Sequence, residues 1–470
     1  MRLLLLVLVL LVVGAGPAAA AASDPTDDYM RRYQSEHRLP GLAFAVVRGD
    51  EVVHSRTWGT DGDGDAVTAD TPFLLGSVSK PFTALAVMQL VESGRVDLDA
   101  PVRTYLPEFP AGISVRQLLT HTSGLAQWAL RTDRFGSDAD ELGRAVRELE
   151  PGHAPGEHEY SDANYLAAAA VVEAVTGRSF GDHLHTAVLD PLAMDHAVAT
   201  TADAVSLPAG HRLYFGHPRR FDPAYDPSGV AYGYLGADLG DVTHFVTAQL
   251  RGGRYGSTQL LSPAGIALTQ KGVADFGAGR YGLGWRESEL DGDRIAWHAG
   301  ATPGYFSHVV LVPGSDLGVV VLANAYSPTV DGELAAAAFD LARIAAGATP
   351  TGSDPDPLFA AATIAPLVVA FVLVVLLAWS LRPHRPRRRS VVRLIAWLLP
   401  CGALVAIAAW GFPAAMGVDL SQTRLWTPDI GLALVAVIVL AGALAVARVV
   451  RFGIPARPDN ARPTADVLGG

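Results

Sequence analysis

The stretch that decides the fold is Leu75-Gly76-Ser77-Val78-Ser79-Lys80. Lys80 is one of only two lysines in the 470-residue chain, and arginine supplies the rest of the 36 Lys+Arg side chains. Arginine stays protonated at any working pH, whereas a lysine can lose its proton when it is desolvated or lies beside another charge. The stretch therefore places a serine three residues before an amine that can accept a proton, which is a pairing that activates serine nucleophiles.

An apolar periodicity begins at Ser77 and predicts a helix that ends at Gly94. On a helix, Ser77 and Lys80 share a face at positions i and i+3, so their side chains are within reach of each other. The N-terminus of this helix aims free backbone N–H groups at Ser77 and favours negative charge there. The local sequence thus predicts a nucleophile at a helix N-terminus.

Strand patterns at both ends of the N-terminal two thirds enclose a middle that is mostly helical. The patterns predict an opening helix at 24–37, a hairpin at 41–47 and 51–58, strands at 295–299, 306–312 and 317–323, and a closing helix at 331–346. Strands at both ends with helices between them indicate an α+β fold. One sheet is then built from both ends of the domain, and a helical lobe is inserted in the middle.

Three further segments, together with the Ser77/Lys80 pair, resemble the signature motifs of class C β-lactamases and related penicillin-binding-protein-like serine hydrolases. The segments are ISVRQLLTHTSGL at 113–125, YSDANY at 160–165 and WHAGATPG at 297–304. They occur in the family's order and at its spacings, and the resemblance covers residues 24–345. It implies an antiparallel sheet flanked by helices plus a helical lobe, with the site in the cleft between them.

The resemblance implies that Ser77 is the nucleophile and that Lys80 and Tyr160 are the candidates that remove its proton. A neutral Lys80 would need its pKa lowered from about 10.4 by a desolvating, cationic setting. A Tyr160 phenolate beside a charged Lys80 would serve instead, first for acylation and then to activate water. The sequence leaves both alternatives open. By the same analogy, the backbone N–H groups of Ser77 and Ala301 would bind the oxyanion.

The resemblance also makes Asp162, His298 and Gly300 candidate substrate-binding residues, and two of them depart from the β-lactamase pattern. Asp162 stands where asparagine is usual; an ionised carboxylate only accepts hydrogen bonds, and it would favour a protonated Lys80. His298 stands where β-lactamases have lysine, and a neutral imidazole is a poorer anchor for a carboxylate. Gly300 allows close approach of the strand to the substrate. We expect His121 to order its loop rather than to catalyse.

Three long uncharged runs, at 358–381, 394–418 and 430–447, are each long enough to cross a bilayer. Arginines cluster between the first two runs and after the third, which places the loop 382–393 and the tail 448–470 in the cytoplasm. The loop 419–429 is then external. The sequence predicts a secretory signal peptide at 1–22, a catalytic domain outside the cytoplasm at 23–346 and a linker at 347–357.

The charge distribution narrows the choice of partners. The whole chain has a net charge of −11, but residues 351–470 hold 11 Arg against 6 Asp and Arg2 adds one more positive charge, so residues 23–350 carry −17. An acidic domain argues against nucleic acid and against anionic headgroups as ligands. No histidine or carboxylate spacing is typical of a metal site, so we expect no metal and no cofactor. The single cysteine, Cys401, lies in an apolar run, and the domain is expected to fold without a disulfide.

These features together predict a membrane-anchored serine hydrolase outside the cytoplasm that forms an acyl-enzyme on Ser77. Its expected substrates are esters, D-amino-acid peptides or amides, or peptidoglycan stem peptides. A true β-lactamase is an alternative that His298 disfavours. A non-catalytic ligand-binding sensor or transport-associated membrane protein is a second alternative, but a binder would not need Ser77, Lys80 and Tyr160 together.

Overall fold

The computed structural model describes residues 24–109, 112–126, 141–147, 149, 151–222, 224–382 and 390–453. The predicted signal peptide at 1–22 lies outside the described residues. So do residues 383–389 of the predicted cytoplasmic loop and residues 454–470 of the predicted tail. These three assignments remain predictions.

An eight-stranded antiparallel sheet forms the centre of the N-terminal domain. Its strands are β1 (Gly41–Arg48), β2 (Glu51–Gly59), β3 (Ala274–Phe276), β4 (Gly279–Tyr281), β5 (Arg286–Leu290), β6 (Asp293–Thr302), β7 (Tyr305–Val312) and β8 (Leu317–Ala323). The order across the sheet is β2-β1-β8-β7-β6-β5-β4-β3, so the two ends of the domain meet where β1 pairs with β8. Both expectations, the α+β class and a sheet built from both ends, are confirmed.

The central strands are apolar on both faces because helices cover both faces. Phe44, Val310 and Val319 belong to one buried cluster with side chains from the opening and closing helices. The alternate positions, including Ala45 and Val320, belong to a second cluster beneath the helical lobe. The sheet is therefore a middle layer, and its register fixes which side chains of β6 face the lobe.

Helices make up the rest of the N-terminal domain. They are α1 (Pro25–Glu36), α2 (Ser79–Glu92), α3 (Val115–Leu119), α4 (Glu141–Arg147), α5 (Asp162–Thr176), α6 (Phe180–Leu184), α7 (Leu239–Leu250), α8 (Pro263–Gln270) and α9 (Asp331–Ala345). Short strands pair outside the main sheet: Phe73–Leu74 with Gly236–Ala237, Arg254–Tyr255 with Thr258–Gln259, and Gly210–Tyr214 with both His217–Phe221 and Ala325–Tyr326. The fold is thus the predicted sheet with flanking helices and an inserted lobe.

The C-terminal region contains three helical stretches that are long and apolar enough to cross a membrane. They cover Pro357–Leu381, Val391–Ala415 and Pro428–Gly453. We name the first α10 and the third α14; the second consists of α11 (Val391–Ala406), a π-helical segment (Ile407–Gly411) and α12 (Phe412–Ala415). A short helix, α13 (Leu420–Trp426), lies in the connection that was expected to be a loop.

Candidate active site

Ser77 lies in a 3₁₀ turn, Gly76–Val78, that leads directly into α2. Two buried hydroxyls hold this turn: Ser79 Oγ donates to the Gly76 carbonyl at 2.7 Å, and Ser307 Oγ on β7 donates to the Leu75 carbonyl at 2.5 Å. Ser77 itself is only partly buried and lines a cavity of about 1140 Å³. The turn is therefore fixed from below while its serine faces open space.

Two glycines allow the nucleophile turn to lie directly against β6. A Cβ on Gly300 would lie 2.6 Å from the Ser77 nitrogen, and a Cβ on Gly76 would lie 2.7 Å from the Ala301 carbonyl carbon. Real Cβ atoms do not approach other atoms so closely, and Gly76 also has φ +51°, which glycine adopts most easily. The Ser77 and Ala301 backbones are thus brought side by side, as an oxyanion site built from both would need.

Lys80 is fully buried, and its Nζ lies within hydrogen-bonding distance of three acceptors. These are Ser77 Oγ at 2.9 Å, Asp162 Oδ1 at 2.6 Å and the Tyr232 carbonyl at 2.9 Å. Asp162 is the first residue of α5, and Tyr232 lies in a π-helical segment that also accepts a hydrogen bond from α2. Three separate elements therefore converge on one amine.

The charge of Lys80 follows from the balance of two opposing effects. Burial lowers the pKa of Lys80, but the neighbouring Asp162 carboxylate, and after it Tyr160, raise it by more, so its pKa lies above the ordinary value. An ammonium then donates all three of its N–H groups, to Ser77, Asp162 and Tyr232. The geometry matches the expectation that Asp162 favours a protonated Lys80.

Tyr160 lies at the same cavity, with its ring centre 4.8 Å from Lys80 Nζ. Its ring also packs against His121, with 4.3 Å between the ring centres. His121 Nδ1 accepts hydrogen bonds from the Ser161 backbone N–H and the Asn164 side chain, both at 3.1 Å. His121 thus ties the 113–125 loop to the 160–165 segment, which is the ordering role that the sequence favours.

His298 occupies a different place from the one expected. Its ring is fully buried, Nε2 lies 3.0 Å from the Tyr281 hydroxyl, and Nδ1 lies 2.8 Å from the Ala299 carbonyl. Burial, together with the nearby Arg286 and Lys80 charges, holds the pKa of His298 well below its usual range. The residues that line the cavity include its neighbours on β6 but not His298; its neutral ring packs on the lobe side of β6, with its centre 6.2 Å from that of the Tyr160 ring.

Arg286 is the cationic side chain at the cavity that the sequence reasoning missed. It lies on β5, beside β6, and its guanidinium stacks over the rings of Phe276, Trp297 and Tyr160 at 4.4, 5.0 and 5.3 Å. The short strand that carries it holds three charged residues, one serine and one leucine, and has no motif of its own. Only pairing with Trp297 on β6 brings Arg286 to the site.

The cavity has a volume of about 1140 Å³, and both parts of the chain line it. Ser77, Tyr160, Asp162 and Arg286 contribute from the N-terminal domain. Residues from α10 and from the connection between the second and third apolar stretches contribute the opposite wall. No sequence motif indicated that the C-terminal region would reach the cleft.

A separate group of titratable side chains lies outside this cavity. Asp70, His196 and Asp238 place their donor atoms within 4.8 Å of one another, close enough to hold a metal ion, and Asp241 is buried beside them. These residues are far apart in sequence, so no ligand spacing could have indicated them.

Comparisons with known proteins agree with this geometry. Residues 26–343 match the Beta-lactamase family. Penicillin-binding protein 4 of Amycolatopsis lactamdurans is 32% identical over 319 residues, which cover 62% of this chain and 82% of that protein. Protein flp of Staphylococcus aureus strain COL is 24% identical over 432 residues and covers 85% of each chain, so that match extends beyond residue 343.

A solved structure shows the same fold. The octameric penicillin-binding protein homologue from Pyrococcus abyssi superimposes with a TM-score of 0.59 at 22% identity, and the match covers 69% of this chain and 77% of that one. The family match spans the whole sheet, both flanking helices and the Ser77/Lys80 turn. The chain therefore belongs to the beta-lactamase family and is a serine hydrolase of the β-lactamase and penicillin-binding-protein superfamily.

Proposed function

We propose that the protein is a membrane-anchored hydrolase whose catalytic domain lies outside the cytoplasm and that forms an acyl-enzyme on Ser77. One observation carries the proposal. Ser77 Oγ lies 2.9 Å from a buried lysine amine, at the mouth of a cavity and beside the backbone of Ala301. A binding module has no need for a buried charge aimed at a serine, since burying that charge costs several kcal/mol before it is compensated.

The proton of Ser77 is proposed to pass to Tyr160. Because Asp162 keeps Lys80 protonated, Lys80 has no free lone pair with which to accept a proton. The proposed base is therefore the phenolate form of Tyr160, whose ring centre lies 4.8 Å from Lys80 Nζ. As the phenolate takes the proton, Ser77 Oγ bonds to the substrate carbonyl carbon, and the carbonyl oxygen becomes an oxyanion.

The two backbone N–H groups of Ser77 and Ala301 are proposed to stabilise that oxyanion. The tetrahedral intermediate collapses when its bond to the leaving group breaks and Tyr160 returns the proton to the leaving oxygen or nitrogen. Water then gives a proton to Tyr160 and attacks the acyl carbon; the bond from that carbon to Ser77 Oγ breaks, Tyr160 returns the proton to Ser77, and the acid is released. Atoms and protons balance over the cycle, and no cofactor is required.

The proposed substrates are esters, D-amino-acid peptides or amides, and peptidoglycan stem peptides. A neutral, buried His298 offers no charge to a substrate carboxylate, which favours uncharged acyl esters. Arg286 favours the second candidate function, a carboxypeptidase or β-lactamase, because its guanidinium lines the cavity and carboxylates bind guanidinium groups well.

Labelling of the full-length protein with a fluorophosphonate tests the proposed nucleophile. We expect the wild type to be labelled and Ser77→Ala not to be labelled. Ser257→Ala is the matched control, because Ser257 is an exposed serine in a surface turn. Equal labelling of Ser77→Ala and the wild type would overturn the proposal.

A further inference from the structure

The C-terminal region forms one wall of the catalytic cleft, which an anchor alone would not do. Phe359, in the first turns of α10, lines the same cavity as Ser77. We call residues 414–427, which comprise the last two residues of the second apolar stretch and the segment that leads to the third, the cleft-facing connection. Its lining residues are Ala414, Met416, Gly417, Val418, Asp419, Gln422, Thr423, Trp426 and Thr427.

Specific contacts hold the cleft-facing connection against the N-terminal domain. Arg212 Nη1 donates to the carbonyls of Arg424 and Leu425 at 3.2 and 3.0 Å. The Trp426 ring meets the ring of Tyr326 edge-on at 5.9 Å between centres and packs on the buried cluster beneath α9. Backbone carbonyls at a helix C-terminus need donors, and Arg212 supplies them from a strand of the N-terminal domain.

The arrangement of the three apolar stretches explains how this connection reaches the cleft. A single membrane-spanning helix would anchor the domain. A second helix that runs in the opposite direction is needed to return the chain to the side on which the domain lies. At the C-terminal ends of α10 and α14, Arg451 donates to the carbonyl of Arg382, so these two helix ends lie together. At the opposite end, the first turn of α10 and the cleft-facing connection line the same cavity as Ser77.

The wall combines apolar and polar groups in the way that an amphiphile requires. Phe359, Met416 and Val418 are apolar and border the start of the apolar helices, and Val418 keeps 38% of its surface exposed. Across the cavity lie the polar groups Tyr160 and Asp162. A volume of about 1140 Å³ exceeds what a small ester fills, since typical small-molecule sites hold about 300–1,000 Å³.

We infer that the cleft-facing connection and Phe359 are part of the substrate site and bind the apolar chain of an amphiphilic acyl ester or amide at the membrane surface. The reacting carbonyl lies at Ser77 while the chain lies along Met416 and Val418 toward the apolar helices. The inference rests on the proposed hydrolase function and adds to it the substrate class.

The test measures hydrolysis of p-nitrophenyl acetate and p-nitrophenyl octanoate by the full-length protein in lipid nanodiscs. We expect the wild type to favour octanoate over acetate in kcat/KM at least tenfold. The Met416→Ala/Val418→Ala variant should lower that preference at least fivefold, since each buried methylene contributes roughly a fourfold factor. The matched control is Val446→Ala/Val449→Ala, which removes exposed apolar side chains from α14 away from the cavity.

An unchanged octanoate preference in Met416→Ala/Val418→Ala would overturn the inference, as would a wild type that prefers acetate. The control pair should keep the wild-type ratio; an equal loss there would mean that the preference comes from the bilayer and would also overturn the inference. Fluorophosphonate labelling of each variant separates the two hypotheses. Failure of Ser77-dependent labelling sinks the proposed function, whereas intact labelling with an unchanged ratio sinks only the substrate class.

Discussion

Replacement of Asp162 by asparagine removes the carboxylate that keeps Lys80 charged. The Lys80 side chain is fully buried and that of Asp162 is 17% exposed, with 2.6 Å between Nζ and Oδ1. Loss of one partner of a buried pair leaves an uncompensated charge and costs about 3 kcal/mol or more. In a domain of this size that corresponds to a fall of about 6 °C or more in apparent Tm.

The loss of stability in Asp162→Asn is expected to depend on pH. In the wild type, Asp162 raises the pKa of Lys80, so the stability that Lys80 gains from this raised pKa is fully present below about pH 10 and is lost as the pH rises above it. In Asp162→Asn, burial acts with less opposition and lowers the pKa of Lys80. The variant should therefore regain stability as the pH rises, and the Tm gap should be widest at pH 6 and narrower at pH 9.5.

Differential scanning fluorimetry of the full-length protein in one detergent, at one scan rate, measures this gap. The matched control is Lys80→Met/Asp162→Asn, which removes the buried charge as well and should be more stable than Asp162→Asn alone at pH 6. A wild-type Tm for Asp162→Asn at every pH would contradict this prediction. So would a Lys80→Met/Asp162→Asn variant that is less stable than Asp162→Asn at pH 6.

Three further predictions follow from the structure. Gly300→Ala should lower fluorophosphonate labelling at least a hundredfold, because its Cβ would collide with the Ser77 turn; Gly314→Ala, in open space, should label normally. Arg286→Gln should lower kcat/KM for D-alanyl peptides about tenfold and leave p-nitrophenyl acetate hydrolysis within threefold, as loss of one charge-assisted hydrogen bond would; equal losses would contradict an anchoring role. Asp241→Asn should stabilise the protein by on the order of 2–4 kcal/mol at pH 8 and by little at pH 4, because burial and then Asp238 raise the pKa of Asp241 to about 7. The stability that the Asp241 carboxyl contributes is fully present below about pH 4 and is lost as the pH rises through 7. Identical stability gains for Asp241→Asn at pH 4 and pH 8 would therefore contradict this prediction.

Much of the fold could be predicted because its central strands and flanking helices have strong patterns. The hairpin predicted at 41–47 and 51–58 is observed as Gly41–Arg48 and Glu51–Gly59, and the closing helix predicted at 331–346 is observed as Asp331–Ala345. The three apolar runs were predicted within a few residues of the helical stretches. The second stretch begins three residues before its predicted run and the third ends six residues after its run, because arginines such as Arg393 and Arg448 continue the helices; the second ends three residues short of position 418.

The sequence did not indicate the edge of the sheet formed by β3, β4 and β5. These strands are short, and β5, Arg286–Leu290, carries three charged residues among five, so tertiary pairing rather than local propensity makes it a strand. The missed strand also explains the missed side chain, Arg286. A motif at 297–304 identified β6, but nothing local predicts which neighbour pairs with it.

The candidate site was likewise predictable where neighbouring residues in the sequence fix a contact, and not where tertiary packing fixes it. The spacing of Ser77 and Lys80 placed them together, since a helix N-terminus imposes that contact. The position of His298 was not predictable in this way, because the burial of its ring depends on tertiary contacts with Tyr281 and Tyr160. The cleft-facing connection likewise depends on how a helical pair docks, through Arg212, on a distant strand.

An acyl-enzyme on Ser77 can be detected by measuring the mass of the protein trapped during turnover. Full-length protein is mixed with p-nitrophenyl octanoate, quenched in acid within the first turnover and digested for mass spectrometry. The account predicts an added octanoyl group on the peptide that contains Ser77, absent from Ser77→Ala and present in Ser257→Ala. Turnover with no adduct on that peptide, or an adduct on another residue that survives Ser77→Ala, would contradict an acyl-enzyme on Ser77.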